Sequence, residues 1–292
     1  RPWFRAAGLT VGLIGGCWWA DVSGLGSSQG GLPGPRRANA ATRRCPKEMV
    51  RVGSGCIDRW EISLVDKRTG RTLSPYYPPA KDQLLYTWKL WSTEHDQYGN
   101  EAARRMPLPR VPTWQLEGDY EPMAVSRANV VPQGYLSRDM ARAACEAAGK
   151  RLCGRKEWLT ACRGARDQQF PYGAEYVEGV CNVFRQMHPA TVLHANSSQG
   201  HTDPRLNLIV ERGTAPLLQL TGAKPDCASA WGRDALYDMV GNLDEWVEDE
   251  LPTFVGGFYA RSTRNGCEAV VTNHGATYYD YSTGTRCCQD SE

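Results

Sequence analysis

Eleven cysteines in a chain of 292 residues are the strongest constraint on how this sequence can fold. They are spread along the whole chain, and no two have the CxxC spacing that zinc ligands commonly show. Dispersed cysteines in this number are typical of disulfide bonds, which form and persist in oxidising compartments. We therefore expect an extracytoplasmic protein whose fold is braced by disulfides.

The N-terminal residues differ in composition from the rest. The chain opens with RPWFRAAGLTVGLIGGCWW, in which arginines precede an uncharged stretch and small residues stand directly before Cys17. This pattern resembles a bacterial lipoprotein signal, and the alternative is an arbitrary N-terminal fragment. We predict a signal segment at residues 1–16, lipidation at Cys17 and a flexible linker at residues 17–44, where Gly, Ser, Pro and Ala dominate. The protein is then a lipoprotein of the cell envelope or a secreted protein.

The composition of the remaining chain is that of a globular domain. Hydrophobic residues make up 41% and charged residues 23%, which is ordinary for a folded protein. The net charge of +2 comes without a dense run of Lys or Arg, so no basic face for nucleic acid is expected. We predict one α+β domain at residues 45–292, with membrane contact only through Cys17.

Two local patterns indicate secondary structure. Apolar residues on both sides of a Gly-Ser-Gly turn at residues 53–55 predict a β-hairpin, flanked by Cys45 and Cys56. Ser137 is a good N-cap for a helix that Gly149 ends, and a second short helix follows it. Residues 64–132 contain proline clusters and scattered aromatic residues, and no elements can be assigned there.

The segment LYDMVGNLDEWVED at residues 236–249, hereafter the motif segment, places five carboxylates around a Gly-Asn turn. Such carboxylates are solvated surface groups, catalytic acids or oxygen ligands of a cation. Asp244 and Glu245 are adjacent in sequence and are therefore poorly placed to act together on one substrate bond. The motif segment alone does not decide between the remaining alternatives.

Other stretches carry a resemblance to a known family. The chain contains, in order, CIDRWEIS (56–63), GKRLCGRKEWLTACRG (149–164), FPYG (170–173), YDMVGNLDEWVED (237–249) and GTRCC (284–288). Together these stretches, from Cys45 to Cys288, resemble the sulfatase-modifying-factor domain, the family of formylglycine-generating enzymes. The resemblance implies a loop-rich α+β fold related to C-type lectins, with short helices and small antiparallel sheets.

The resemblance also implies a calcium site in the motif segment. Its matching positions are Asp238, the carbonyl groups of Gly241 and Leu243, and Glu245. Calcium binds carboxylate and carbonyl oxygens together, so this donor set is chemically sensible. The alternative is that Asp238 and Glu245 cap turns and pair with arginines. A second family site would begin at Asn182, but no clear acidic ligand follows, and calcium is not expected there.

The catalytic cysteine pair of the family is missing. In catalytic members, two cysteines after a GGS-like turn bind copper, because thiolates suit Cu(I), and the copper site activates oxygen, which oxidises a substrate cysteine. The corresponding segment here, GGFYARSTRNGC (256–267), holds Cys267 alone and has Phe258 in place of the serine. We therefore expect no copper and no formylglycine chemistry.

The resemblance implies two disulfides, Cys145–Cys287 and Cys162–Cys267, which leave no thiol in that segment. The other cysteines of the domain are assigned by elimination and proximity. These expected bonds are Cys45–Cys56, Cys153–Cys288 and Cys181–Cys227.

Histidines offer the remaining routes to chemistry. His188, His194 and His201 are close in sequence on an expected loop, where they are either solvent-facing residues or a metal site. His274 and Tyr279 lie near the family's cleft with Arg261 and Arg264, as a ligand surface or as a hydrogen-bonded wall. We predict a non-catalytic family member that binds a protein or glycan partner; the alternative is a metal-dependent oxidoreductase acting on a protein or thiol substrate.

Overall fold

The structure is a computed structural model that describes residues 45–210, 216–261 and 264–291. The predicted signal segment, the linker and Cys17 lie outside the described residues. Residues Thr42–Glu292 form one compact unit. Within the described ranges, no helix has the length and apolar character needed to cross a membrane.

The domain alternates short strands and short helices. The strands are β1 (Met49–Val52), β2 (Gly55–Asp58), β3 (Ile62–Asp66), β4 (Pro122–Ser126), β5 (Arg151–Leu152), β6 (Ala228–Trp231), β7 (Asp234–Tyr237), β8 (Asp244–Val247), β9 (Thr253–Val255), β10 (Val270–Val271), β11 (Thr283–Gly284) and β12 (Cys287–Asp290). The helices are α1 (Lys81–Glu94), α2 (Glu101–Arg105), α3 (Thr113–Glu117), α4 (Arg138–Ala147), α5 (Arg155–Arg163) and α6 (Pro189–His194). Single 3₁₀ turns lie at Leu206–Leu208 and Gly266–Glu268. The α+β class expected from the sequence is confirmed.

The first sheet has the strand order β1-β2-β12-β5 and is antiparallel throughout. The predicted hairpin is present as β1 and β2, and Gly53 in its turn has a φ of +59°, which glycine adopts without steric cost. The last strand, β12, inserts between β2 and β5. The C-terminal end of the domain is therefore held at the centre of this sheet.

The second sheet has the order β10-β9-β8-β11 and is mixed rather than purely antiparallel. β8 pairs with β9 in the antiparallel sense and with β11 in the parallel sense. All four residues of β8 are buried, although two of them are carboxylates. The motif segment thus includes a buried strand, which places Asp244 and Glu245 inside the protein, whereas Glu248, directly after the strand, is exposed.

Helices α4 and α5 follow the predicted pattern. Ser137 caps α4 by accepting a hydrogen bond from the Met140 N–H at 3.2 Å. Gly149 follows the helix with a φ of +70°, a conformation that favours glycine. Each helix turns one apolar face inward, so that Cys145 of α4 and Cys162 of α5 point into two neighbouring hydrophobic clusters.

Residues 64–132 fold into elements that the sequence did not reveal. β3 and β4 pair over five residues, and α1, α2 and α3 lie between them. Helix α1 buries Leu84, Thr87 and Trp91 but leaves other large apolar side chains exposed. Its weak amphipathic pattern explains why periodicity alone did not identify it.

Five disulfides connect these elements. They are Cys45–Cys56, Cys145–Cys287, Cys153–Cys288, Cys162–Cys267 and Cys181–Cys227, the same five pairs that the sequence analysis expects. Four of the bonds close long loops, and each such bond stabilises a domain by roughly 2–4 kcal/mol, chiefly through the unfolded chain. Five disulfides indicate an oxidising environment.

Candidate functional site

The motif segment makes a tight turn between β7 and β8. Asp238, Gly241 and Asn242 all have positive φ angles, of 58°, 86° and 62°. A Cβ atom on Gly241 would lie 2.4 Å from the Asn182 carbonyl oxygen, so this position requires glycine. The close approach lets the Asn242 N–H donate to that carbonyl at 2.9 Å. Met239 and Trp246 face the core.

The predicted calcium ligand Glu245 is buried and bound to an arginine. Its Oε1 accepts a hydrogen bond from Arg286 Nη2 at 2.7 Å, and its Oε2 accepts one from the Trp158 indole at 2.6 Å. Asp238 accepts a hydrogen bond from the Gly222 N–H at 2.7 Å. These contacts are those of the alternative interpretation, in which the two carboxylates cap a turn and pair with an arginine.

A third buried carboxylate, Glu61 at the start of β3, joins this group. It accepts hydrogen bonds from the Asn242 amide at 2.6 Å and from the Leu243 N–H at 3.0 Å. We call Glu61, Asp238, Glu245 and Arg286 the motif cluster. Three carboxylates thus share one guanidinium in a region that solvent does not reach.

The pKa values of two carboxyl groups in the motif cluster, Glu61 and Asp238, are raised. Burial, followed by repulsion from Asp238 and Glu245, raises the pKa of Glu61 well above its usual value. Burial likewise raises the pKa of Asp238 to about 6. A second cation at this place would relieve the repulsion, and the predicted calcium ion would supply one. In the described residues no three His, Cys, Asp or Glu side chains converge as ligands, so main-chain oxygens would be needed as well.

The segment that holds the catalytic cysteines in the family's enzymes is closed by a disulfide. Cys267 is bonded to Cys162 of α5 and is 1% exposed. Phe258, which replaces the serine of the family's turn, is buried in a cluster with Tyr259. In the part of the chain that the structure describes, all ten cysteines are in disulfides.

The predicted ligand surface is assembled around aromatic rings. The Arg261 guanidinium lies 5.3 Å from the Phe258 ring centroid, and its two terminal nitrogens each lie 3.0 Å from an oxygen of buried Asp244. Burial raises the pKa of Asp244 to about 7, although Arg261 opposes this shift. The ion pair fixes the guanidinium at the surface with about one third of its side chain exposed.

The remaining members of this surface lie on neighbouring rings. His274 stacks between Phe254 and Tyr278, with centroid distances of 5.6 Å and 3.8 Å. Arg264 lies over the Phe184 ring at 5.8 Å. Tyr279 is partly buried against a hydrophobic cluster. The structure therefore brings Arg261 and His274 to one aromatic wall around Phe254, and places Arg264 on the separate ring of Phe184.

The three neighbouring histidines do not form one group. His188 and His201 both lie against the Tyr281 ring, at centroid distances of 6.2 Å and 6.0 Å. His194 is the last residue of α6, not a loop residue as expected, and its ring is buried against Trp91. The expectation that the three lie on a loop is wrong because PATVLH forms a helical turn after Pro189.

Sequence reasoning missed a second buried ionic group. Asp203 accepts hydrogen bonds from Arg205 Nη2 at 2.7 Å and from His194 at 3.1 Å. We call His194, Asp203 and Arg205 the Asp203 cluster. The two hydrogen-bonding partners outweigh the effect of burial, which would raise the value, and the pKa of Asp203 is lowered.

The fold and this site define a disulfide-braced α+β domain with a buried acidic turn and no free thiol among its described cysteines. Residues 92–292 match the model of the sulfatase-modifying factor enzyme 1-like domain. The chain therefore belongs to this family, as the sequence motifs indicated.

Individual relatives are distant. The chain is 26% identical over 215 residues to the formylglycine-generating enzyme of Thermomonospora curvata, a match that covers 70% of this chain and 62% of that enzyme. The chain thus spans less than two thirds of the length of this curated relative. Among solved structures, CarF is 13% identical with a TM-score of 0.39, covering 82% of this chain and 87% of its own. PvdO from Pseudomonas aeruginosa is 14% identical with a TM-score of 0.36, covering 81% and 80%.

Proposed function

We propose that this chain is a non-catalytic member of its family that binds a protein or glycan partner outside the cytoplasm. The observation that carries the proposal is the Cys162–Cys267 disulfide. Copper-dependent oxidation in this family needs a pair of thiolates, and the corresponding segment holds a single cysteine, already oxidised. Without that pair, the family's fold remains as a rigid scaffold for recognition.

The surface around Arg261 supports a binding role. Its guanidinium is held in place by Asp244 and flanked by aromatic rings, and His274 stands on the same wall. Pre-positioned arginine and aromatic side chains are the groups that most often anchor a partner, because they lose little conformational freedom on binding. Arg264 lies over the ring of Phe184, whose N–H donates to the Arg261 carbonyl, and we include it in this surface.

The proposal includes a cellular location for the protein and a bound calcium ion. The protein is secreted or attached to the cell envelope by a lipid on Cys17, which the five disulfides favour by indicating an oxidising compartment. Calcium bound by Asp238, Glu245 and the carbonyl groups of Gly241 and Leu243 would stabilise the motif turn. Its role is structural, since calcium neutralises the buried carboxylates and carries no redox chemistry here.

Non-reducing peptide mapping after alkylation of free thiols tests the non-catalytic assignment. We expect Cys162–Cys267 and Cys145–Cys287 as linked peptides and no alkylated Cys267. Alkylated Cys267, together with copper-dependent oxygen uptake in the presence of a cysteine-containing peptide, would overturn the assignment.

Binding is tested with surface variants of the purified protein and an extract of its cell envelope. Replacement Arg264→Met is expected to reduce the amount of captured partner, whereas Arg233→Met, at the exposed turn between β6 and β7, is expected to leave it unchanged. Equal capture by both variants would show that this surface does not bind the partner.

A further inference from the structure

An apolar cavity of about 440 Å³ lies outside both the motif segment and the surface around Arg261. Its volume is within the range of ligand sites in proteins, roughly 300–1,000 Å³. The walls come mainly from apolar side chains, among them Val131, Leu208, Pro216, Leu218 and Leu220. None of these residues has a role in the function proposed above.

Hydrogen bonds between main-chain groups hold the walls of this cavity together. The Leu217 N–H donates to the Ile209 carbonyl at 2.9 Å, which joins one wall to the 3₁₀ turn at Leu206–Leu208. The Thr221 N–H donates to the Val130 carbonyl at 2.9 Å, which joins the same wall to the loop after β4. The cavity is therefore preformed, and a ligand would not have to order its walls.

Gln219 brings an unpaired amide to this cavity. Its main-chain N–H donates to Asn242 Oδ1 at 3.0 Å, and its carbonyl accepts a hydrogen bond from Asn242 Nδ2 at 3.3 Å. The residue is 8% exposed and lines the cavity, and among the described residues its side-chain amide has no hydrogen-bond partner. Neither Oε1 nor Nε2 of Gln219 is sealed within the packing, so both atoms remain accessible to a ligand.

The lining of the cavity carries little charge. Lys224 is the one charged residue among its described lining residues, and Lys224 Nζ donates to the Gly179 carbonyl at 3.0 Å. Because Gly179 lies outside that lining, Lys224 contributes mainly its alkyl chain to the cavity. An anionic ligand would have to draw the ammonium group away from Gly179, so the cavity favours an uncharged ligand.

A peptide with a large apolar side chain matches both the amide and the apolar walls. A glutamine amide offers an acceptor and donors side by side, and the N–H and C=O of one residue in an extended chain point to the same side. A cavity of about 150 Å³ already holds a benzene ring, so the present volume takes an aromatic side chain together with its peptide groups. A neutral sugar would leave hydroxyl groups unpaired against the apolar walls.

We propose that this cavity anchors a protein partner through one large apolar side chain of an extended segment. The side chain fills the space between Leu208 and Leu218, and the main-chain N–H and C=O of the same residue pair with the Gln219 amide. Leu220, which is 39% exposed, continues the apolar lining to the surface of the protein. This assignment rests on the proposed binding function and makes its partner a protein rather than a glycan.

An NMR titration of the isotopically labelled full chain with the peptide acetyl-Ala-Phe-Ala-amide tests the assignment. We expect the side-chain amide signals of Gln219 to shift as the peptide binds. The peptide with serine in place of phenylalanine should bind at least tenfold more weakly, because it buries no apolar ring. The peptide with an N-methyl group on phenylalanine lacks the N–H that Gln219 accepts, and it should bind about tenfold more weakly.

The variant Gln219→Leu removes the amide while leaving both main-chain bonds to Asn242 in place. It should bind the phenylalanine peptide about tenfold more weakly than the wild type and bind the N-methyl peptide equally well, with no decrease in melting temperature. A merely structural role of Gln219 would not remove the difference between the two peptides. The matched control Gln199→Leu, at an exposed position outside the described lining, should leave both affinities unchanged.

Ala223→Trp is the second variant, because Ala223 is an exposed lining residue and an indole there would occupy the cavity without removing any lining group. It should abolish binding of the phenylalanine peptide with an unchanged melting temperature. Absence of binding to the wild type, wild-type affinity of Gln219→Leu, or tighter binding of a neutral hexose tetrasaccharide than of the peptide would each overturn the cavity assignment. Absence of peptide binding with persistent Arg264-dependent capture overturns the cavity alone, whereas an alkylated Cys267 overturns the non-catalytic function alone.

Discussion

The motif cluster and the Asp203 cluster are both buried ionic groups, yet they differ in charge balance. The motif cluster sets three carboxylates against Arg286, whereas the other cluster sets one carboxylate against Arg205 and His194. The pKa of Asp238 accordingly rises to about 6, while that of Asp203 is lowered. Burial alone does not decide whether a carboxylate stays ionised, since both residues are almost inaccessible to solvent. Asp203 receives hydrogen bonds from His194 and Arg205 that outweigh the effect of burial, whereas Asp238 receives one from the Gly222 N–H and is repelled by Glu245.

The largest effect is expected from removing the single cation of the motif cluster. Arg286→Met leaves three buried carboxylates without a guanidinium and should lower the free energy of unfolding by about 3–5 kcal/mol or more. Arg205→Met should cost less, because His194 remains beside Asp203 and one carboxylate can take up a proton. Chemical denaturation of both variants measures the difference.

Equal losses in the two arginine variants would contradict the importance of charge balance. Should Arg286→Met fail to fold, the soluble yield of each variant gives the same ranking. Arg110→Met, at an exposed residue outside both clusters, is the control for loss of an arginine side chain.

Calcium removal should affect only the motif cluster. A ligand present at a hundred times its dissociation constant stabilises the folded state by about 2.7 kcal/mol, so chelation should lower the melting temperature of the wild type. The chelator should have little effect on Asp238→Asn, which lacks one of the proposed ligands. If the wild type melts at the same temperature with and without chelator and carries no calcium by metal analysis, the motif cluster does not bind calcium.

A smaller effect is expected from the histidine of the Asp203 cluster. His194→Leu removes the hydrogen bond to Asp203 while retaining much of the ring's volume, and should cost about 1–2 kcal/mol. Arg205 still pairs with Asp203 in this variant. A loss as large as that of Arg205→Met would show that the imidazole contributes as much as the guanidinium and would contradict this ranking.

The smallest effect is a pH dependence of the Asp203 cluster. Because the folded-state pKa of Asp203 is lowered, its contribution to stability is present above the unfolded-state pKa, near 4, and is lost as the pH falls through the folded-state value. On acidification into this range, the wild type should lose more unfolding free energy than Asp203→Asn. Parallel pH profiles of the two proteins would contradict this.

Much of the architecture could be predicted because it depends on local or pairwise signals. Ser137 and Gly149 delimit α4 through their own backbone chemistry, and the hairpin at Gly53 follows from its turn. The disulfide partners became predictable only once the resemblance to the family supplied the pairs Cys145–Cys287 and Cys162–Cys267. These features need little knowledge of the tertiary structure.

The ionic clusters could not be predicted because their members meet only in the folded chain. Glu61 and Arg286 both lie inside the motifs CIDRWEIS and GTRCC quoted above, but nothing in the local sequence indicates that they meet in one buried cluster. The second cluster depends on Asp203 and His194 being brought together by α6 and the loop after it. Among the elements of residues 64–132, α1 was missed because its apolar residues do not keep to one face. The shorter elements were missed because their apolar patterns are brief and separated by prolines.

The adjacent pair Cys287–Cys288 at the start of β12 has a consequence for maturation. Successive residues of a strand point to opposite faces, so one sulfur reaches Cys145 in one half of the core and the next reaches Cys153 in the other. A slip of β12 by one residue would present each thiol to the wrong half. The disulfides Cys145–Cys287 and Cys153–Cys288 can therefore form together only when β12 is paired in its correct register.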